Sequence, residues 1–304
     1  MRKIKKTQNV NYRQTDNKPC IIRDIKGAEI LPSKIAREKY VWTKKYFSKK
    51  PKNGYFIWAK EQCDLPVSIC VDIAEKNANQ NLENLLIIEK NLKIKVQGIC
   101  SALKKKISGK HQSKGKIIIK ENSTLEYNHI DLWNAEDIVD TNYEFLLEKN
   151  AKLNYNYKNF SSAKKLKINT KAVVLENSCA EFNVIGNFSD INAKINDIIV
   201  LKGKFSSGMS KIRLVGNKNS KIVSNSEIKA LSESKGHLDC QSMLVDKSAE
   251  IFLSPKLVCK NKKAQITHEA SIGKILAKEI NYLRTRGLSE KQAIDLIING
   301  FLEQ

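Results

Sequence analysis

The sequence predicts a mainly β protein: a parallel β-helix with a short helical region at the N-terminal side and a helical cap at the C-terminus. Three observations predict it. Strand-like runs recur at about 28 residues, each turns at an Asn or Ser, and the apolar period changes to a helical one near the end.

Residues 1–53 are polar and basic. Within them, Leu31 to Phe47 reads as one helix, with Pro32 near its start and Ser33 as its cap. "KKPKNG" then breaks the pattern.

Residues 54–271 form the predicted solenoid. A short apolar run, a small polar cluster and a second alternating run recur as "LIIEKNLKIKV" (86–96), "IIIKENSTLEY" (117–127), "LLEKNAKLNYNY" (146–157), "VVLENSCAEFNV" (173–184) and "MLVDKSAEIFL" (243–253). A looser copy is "RLVGNKNSKIV" (213–223). The corner residues Asn91, Asn122, Asn150 and Ser178 are 31, 28 and 28 positions apart. Each copy is too short to bury its own apolar face, so neighbours must stack. Alternation such as "KLNYNY" turns one side of each strand inward. The rival is an antiparallel sandwich, which needs hairpin signals such as Asn-Gly between the runs, and these are few.

Residues 272–304 read as helical. Lys274 to Gly287 is one helix, with Gly287 in the position that favours a left-handed residue after the last turn. A second helix begins at Ser289, which with Gln292 makes a capping box. Its stripe of Ala293, Ile294, Ile297, Ile298 and Phe301 either packs on the end of the solenoid or docks a partner, and both uses are compatible.

Composition sets limits. With 304 residues and 41% hydrophobic content the chain has material for a substantial core. No run approaches the length needed to span a bilayer, and the basic N-terminus is not followed by an apolar stretch, so neither membrane nor secretion is expected. The seven cysteines sit singly without any C-x-x-C pair, which suits a reducing cytoplasm. The net charge of +22 comes from lysines spread along the whole chain, and no helix-turn-helix, RNA-recognition or zinc-finger pattern accompanies them. A solvated lysine-rich surface is expected rather than a nucleic-acid site.

The chemistry-bearing residues lie late in the chain. His268-Glu269 begins like the zinc-protease motif H-E-x-x-H, but Ile272 stands where the second His belongs. Cys240 precedes His268 by 268 − 240 = 28 positions, one coil repeat, so a thiol is expected over an imidazole on neighbouring strands. Glu269 would point to the opposite face of a regular strand. Thiolate with imidazole suits an iron–sulfur cluster, zinc or copper. One Cys, one His and one Glu make an open or shared site, which a two-fold dimer would double. The plainer reading is a buried small Cys and a hydrogen-bonded His at a strand end.

The motifs "CQSMLV", "AQITHEASIGKI" and "INYLRTRGLSEKQAIDLIINGF" resemble SufB and SufD, the scaffold proteins of iron–sulfur cluster assembly. The resemblance extends more weakly to residue 54, through "GYFIWAKEQCDLPVSICVDI", "NLENLLIIEKNLKIKVQGIC" and "LEYNHIDLW". It looks like a compact single-scaffold form. The resemblance implies a right-handed parallel β-helix and a cluster formed at a dimer interface, as a homodimer or with a paralogue. It implies Cys240 as thiolate ligand, with His268 and Glu269 supplying nitrogen and carboxylate. It implies a SufC-like ABC ATPase docked on the C-terminal helices, at Tyr282, Arg286, Ile294, Ile297, Ile298 and Phe301, whose ATP binding opens the interface. The H-E pair is closer to SufB than to SufD. The family's sulfur-receiving Gly-Cys appears displaced by one residue, as Gly98-Ile99-Cys100, so Cys100 is the candidate sulfur acceptor. His111, in "GKHQSKG", reads as a loop residue. The chain has no G-x-x-x-x-G-K-[ST], so it is expected to be a non-enzymatic scaffold. The alternatives are a SufD-like structural partner that holds no cluster and a polyanion-binding β-helix. A polysaccharide-cleaving β-helix ranks lower, because no cluster of carboxylates stands out.

Overall fold

The computed structural model describes residues 10–47, 50–104 and 107–303. The first nine residues of the basic segment lie outside them. The chain begins with β1 (Tyr12–Thr15), β2 (Lys18–Ile22), β3 (Ala28–Pro32) and α1 (Ser33–Lys39). Then come β4 (Tyr55–Ala59), β5 (Val67–Ile73), β6 (Ala78–Ile88), β7 (Lys93–Ala102), β8 (Gly109–Ile119) and β9 (Thr124–Leu132). They are followed by β10 (Ile138–Leu147), β11 (Lys152–Asn159), β12 (Lys165–Val174), β13 (Cys179–Ser189) and β14 (Asn192–Leu201). The last strands are β15 (Ser206–Asn217), β16 (Lys221–Ala230), β17 (Ser234–Leu244), β18 (Glu250–Cys259) and β19 (Gln265–Lys274), before helices α2 (Ala277–Thr285) and α3 (Glu290–Leu302).

These strands build a β-solenoid of about eight turns. Odd-numbered strands from β5 to β19 stack in parallel in one sheet and even-numbered strands from β4 to β18 in the other, so each coil contributes one strand to each wall. Residues one coil apart pair at offsets from 27 (Lys152 with Cys179) to 31 (Lys93 with Thr124). Alternation does the rest: in β11 every second residue is buried, with Leu153, Tyr155 and Tyr157 inward and the residues between them exposed or half-buried. The two inner faces share one continuous apolar core, crossed by rings in edge-to-face contact such as Tyr127, Tyr155 and Phe182.

The corners explain the repeat. Asn91, Asn122 and Asn150 each adopt positive φ, which Asn tolerates better than other non-glycine residues. Their side chains form a ladder: Asn122 Nδ2 donates to Asn91 Oδ1 at 3.0 Å and Asn150 Nδ2 to Asn122 Oδ1 at 2.8 Å. In the fourth coil the left-handed residue is Asn177, not the expected Ser178, whose hydroxyl instead donates to the carbonyls of Glu148 and Glu176.

The N-terminal segment departs from the single helix expected over Leu31–Phe47. It is a strand to Pro32, seven helical residues, and a 3-10 turn at Val41–Lys45. Ser33 is not a cap: it is the first helical residue, and its Oγ donates to Glu83 O at 2.6 Å. Sheet pairing overrides helix propensity here, because β3 pairs antiparallel with β4 and β1 pairs parallel with β5, covering the first coil. Glu29 locks this covering layer, accepting hydrogen bonds from Lys39, Lys60 and Tyr40. Burial alone would raise its carboxyl, but those bonds outweigh it and bring the pKa down to about 2. A depressed folded-state pKa stabilises above the ordinary carboxylate range and is lost as pH falls through about 2. Glu29→Gln is therefore expected to lower stability at pH 7 by roughly 1–2 kcal/mol, after screening of partly exposed partners. The gap between wild type and variant, followed in thermal melts, should shrink from pH 5 towards pH 2; a constant gap refutes the assignment.

At the other end, β19 continues to Lys274, so α2 starts three residues later than the expected helix. Gly287 has φ +90, as expected after a helix end. The Ser289–Gln292 capping box is present in both directions. α3 lays Ile298 and Leu302 on Val215, with Ile294, Phe301, Ile185 and Met243 around them. Three of the stripe residues thus serve as packing on the solenoid wall.

Candidate functional site

β17 and β19 carry the late motifs. In β17 the even-numbered residues Leu238, Cys240 and Ser242 point inward. The pairing of β17 with β19 sets Cys240 opposite Ala270 and Leu238 opposite His268. The expected stacking of Cys240 on His268 is therefore corrected. This coil is 30 residues long, not 28, because Lys235 pairs with Gln265. His268 sits on Cys240's side of the sheet, one strand over and two residues back, about 8 Å away between Cα positions. Glu269 lies in the opposite row, beside Asp239, with its Oε1 3.7 Å from His237 Nε2.

The two strands differ sharply in exposure. Cys240 is 1% exposed. Burial, with the Asp197 carboxylate nearby, pushes its thiol up to about 12, so it is protonated at neutral pH. Asp197 accepts hydrogen bonds from Ser210 and Ser226 at 2.6 and 2.7 Å, and burial pushes its own carboxyl up to about 6. His268 and Glu269, by contrast, are exposed. β18 and β19 are the terminal strands of their sheets, so each presents a free backbone edge. The row that faces the core elsewhere is uncovered here, and Ile272 is 47% exposed. Among the described residues, Cys240, His268 and Glu269 do not bring ligand atoms together as one group within a single chain.

A second cluster lies inside the solenoid. Cys100 on β7 pairs with Asp131 on β9, and His129 precedes Asp131 by two residues on the same inward side. Ligand atoms of Cys100, His129 and Asp131 all lie within 4.8 Å of one another, the one such group among the described residues. The displaced Gly98-Ile99-Cys100 accounts for the placement: Ile99 faces out, and Cys100 faces in at 6% exposure. Tyr157 donates to Asp131 Oδ2 at 2.7 Å, and Tyr155 Oη lies 3.1 Å from His129 Nδ1. Burial pushes the Cys100 thiol well up. Burial would also raise Asp131, but the His129 ring outweighs it and holds the carboxyl below its ordinary value.

Residues 71–301 match the family model described as "SUF system FeS cluster assembly, SufBD core domain". The chain belongs to the SufBD family. It is similar to the "Iron-sulfur cluster assembly SufBD family protein" of Archaeoglobus fulgidus, 28% identical over 300 residues that cover 91% of this chain and 79% of the relative. A protein of the same description from Methanothermobacter thermautotrophicus is 26% identical over 307 residues, covering 93% and 75%. SufB of Bacillus subtilis is 23% identical over 272 residues, covering 82% of this chain and 55% of that protein.

Three polar residues are placed in the interior that the sequence does not lead one to expect there. His111 is not a loop residue: it is fully buried in β8, its Nδ1 2.6 Å from Gln80 Oε1 and its ring on Trp133, and burial lowers its pKa to about 4. The signal was there in "GKHQSKG", where His111, Ser113 and Gly115 alternate inward as small or polar residues. His129 and Asp131, within "LEYNHIDLW", carry no signal of their own, because only the pairing of β7 with β9 brings them to Cys100. Of the residues expected to dock a partner, Tyr282 is 59% exposed, with the Arg286 guanidinium 5.5 Å from its ring. None of the helices among the described residues is long and apolar enough to cross a membrane.

Proposed function

We propose that this chain is a non-enzymatic scaffold on which an iron–sulfur cluster is assembled at the open end of the solenoid, with Cys240, His268 and Glu269 as ligands. The observation that carries this reading is the last coil. β19 offers a free edge that bears His268 and Glu269, immediately beside the strand that holds Cys240.

Two copies meeting at these edges would cover the exposed core-facing row and double the ligand set. The cluster is cargo, and the mixed, few ligands suit release: four buried thiolates would retain it. Cys240 has to leave its buried, protonated state before it can bind iron, since the thiolate is the ligand. Movement of α2 and α3 is the natural lever, because α3 is anchored on Val215 of β15 and on Met243 of β17, the strand that carries Cys240. A SufC-like ABC ATPase docking near Tyr282 and Arg286 would supply that movement from its own nucleotide cycle. The compartment is the cytoplasm, where thiols stay reduced.

Anaerobic reconstitution with iron and sulfide tests the reading. The wild type is expected to retain iron and sulfide after desalting, and Cys240→Ala to fall to background with unchanged circular dichroism. Unaltered retention by Cys240→Ala removes Cys240 from the site. A wild type that binds the ATPase yet retains nothing supports the SufD-like alternative instead.

A further inference from the structure

The interior cluster of Cys100, His129 and Asp131 is separate from the open end. β9 lies four strand steps from β17, about 19 Å at the usual strand spacing. Its composition is a thiol, an imidazole and a carboxylate, a set that suits a thiophilic first-row divalent cation.

The spacing within the cluster suits two ligands of one ion as well as a close ion pair. His129 Nε2 and Asp131 Oδ1 are 3.2 Å apart. Yet both atoms, each on a residue 1% exposed, lack a hydrogen-bond partner. Orphaned buried polar atoms are rare and call for an explanation. With metal–ligand distances near 2.0–2.1 Å, two ligands on one tetrahedral ion sit about 3.3 Å apart, which matches the observed separation. The supporting shell is also in place. Tyr155 engages His129 at Nδ1 and leaves Nε2 directed at the cluster. Tyr157 holds Asp131 by Oδ2, which leaves Oδ1 directed at His129 Nε2, and Asn159 in turn donates to Tyr157 Oη at 2.8 Å. His111 Nε2 and Trp133 Nε1, in the same two coils, are likewise without hydrogen-bond partners. Four buried polar atoms without a well-formed hydrogen bond thus gather in one stretch of the interior.

We propose that Cys100, His129 and Asp131 form a resident divalent-metal site inside the solenoid, for Fe2+, Zn2+ or Co2+, with an open fourth position and independent of the cluster ligands at the open end. Binding exchanges the Cys100 S–H bond for a sulfur–metal bond and releases the proton to solvent, with no change of oxidation state.

Cobalt titration under anaerobic conditions tests this on the full chain. Cys240→Ala/His268→Ala is used as the background, which removes the open-end ligands. Co2+ is expected to bind at about one ion per chain, with a sulfur-to-cobalt charge-transfer band and the visible bands of four-coordinate cobalt. Adding Cys100→Ser should abolish the charge-transfer band, and His129→Asn or Asp131→Asn should weaken binding by at least about 10-fold. Circular dichroism checks that each variant keeps its β content. A band that survives Cys100→Ser comes from surface thiols such as Cys20 or Cys259 and overturns the proposal. So does Cobalt binding indifferent to His129 and Asp131, the result expected if Cys100 only accepts sulfur. Wild-type crystals soaked in Co2+ give a reading without variants: an anomalous peak among the three side chains is expected, and its absence refutes the site.

Discussion

Arg213→Ala is expected to destabilise the protein by about 3–5 kcal/mol, because it strands a carboxylate in a buried position. Arg213 on β15 and Asp239 on β17 are 4% and 7% exposed. The guanidinium grips the carboxylate with two bonds, Nη1 to Oδ1 at 2.8 Å and Nη2 to Oδ2 at 2.6 Å. Burial alone would raise the Asp239 pKa, and the Arg213 hydrogen bonds outweigh it and hold it below the ordinary value. Removing one partner leaves the other unpaired, while replacing both with apolar residues removes the desolvation problem altogether. Urea denaturation should therefore show a large loss for Arg213→Ala and a much smaller one for the double variant Arg213→Met/Asp239→Leu. A loss below about 1 kcal/mol for the single variant would mean that the pair behaves as a surface ion pair. The pair also bears on the proposed ligands. Asp239 is adjacent to Cys240 and pairs with Glu269, so loosening it frees the strand between the buried thiol and the exposed carboxylate.

Gly54→Ala is expected to be of similar size, on the order of 3 kcal/mol or more, since it combines backbone strain with overlap. Gly54 has φ +119, a conformation that L side chains rarely adopt. A Cβ there would press directly on the Glu83 carbonyl oxygen, with Asn84 Oδ1 at 2.8 Å. The position is a junction: Gly54 O accepts from Tyr12 Oη at 3.0 Å and from the Ser33 amide at 2.9 Å, and its own amide donates to Gln14 Oε1 at 3.3 Å. Displacing it detaches β1 and α1 from the first coil together. Solenoid coils contact only their neighbours, so the damage should stay at that end. Limited proteolysis is expected to clip the N-terminal 53 residues from the variant while the later coils resist. A variant in which that segment resists as well as it does in the wild type would overturn the prediction.

Much of the fold was legible because it repeats. The Asn residues at 91, 122 and 150 mark corners that demand a left-handed residue, and the structure has positive φ at each. The C-terminal helix announced itself through Ser289, Gln292 and its apolar stripe. Where other residues take the left-handed corner, as Phe205 and Lys218 do, the sequence offers no comparable signal. The helix expected over Leu31–Phe47 failed for a different reason: β4 recruits Ala28–Pro32 as a strand, and pairing across the sheet outweighs local propensity.

The candidate residues show the same division. Cys240, His268 and Glu269 stood out by type and motif, yet their relative placement did not follow from counting. Coil length varies, and two extra residues in the last coil slide His268 from Cys240 to Leu238. A slide of two keeps the face and changes the partner, whereas a slide of one changes the face. That second case governs Cys100, which its one-residue displacement turns into the interior.

The sequence by itself determined the repeating architecture, the corner chemistry and the family, because each is written in residues close together along the chain. Only the tertiary structure decided that Cys100 meets His129 and Asp131, that His111 is buried, and that Cys240 is closed off while His268 is open. Those outcomes depend on how many residues each coil spends between strands and on what covers the finished wall. Both are set by the ladder as a whole and by neither partner alone.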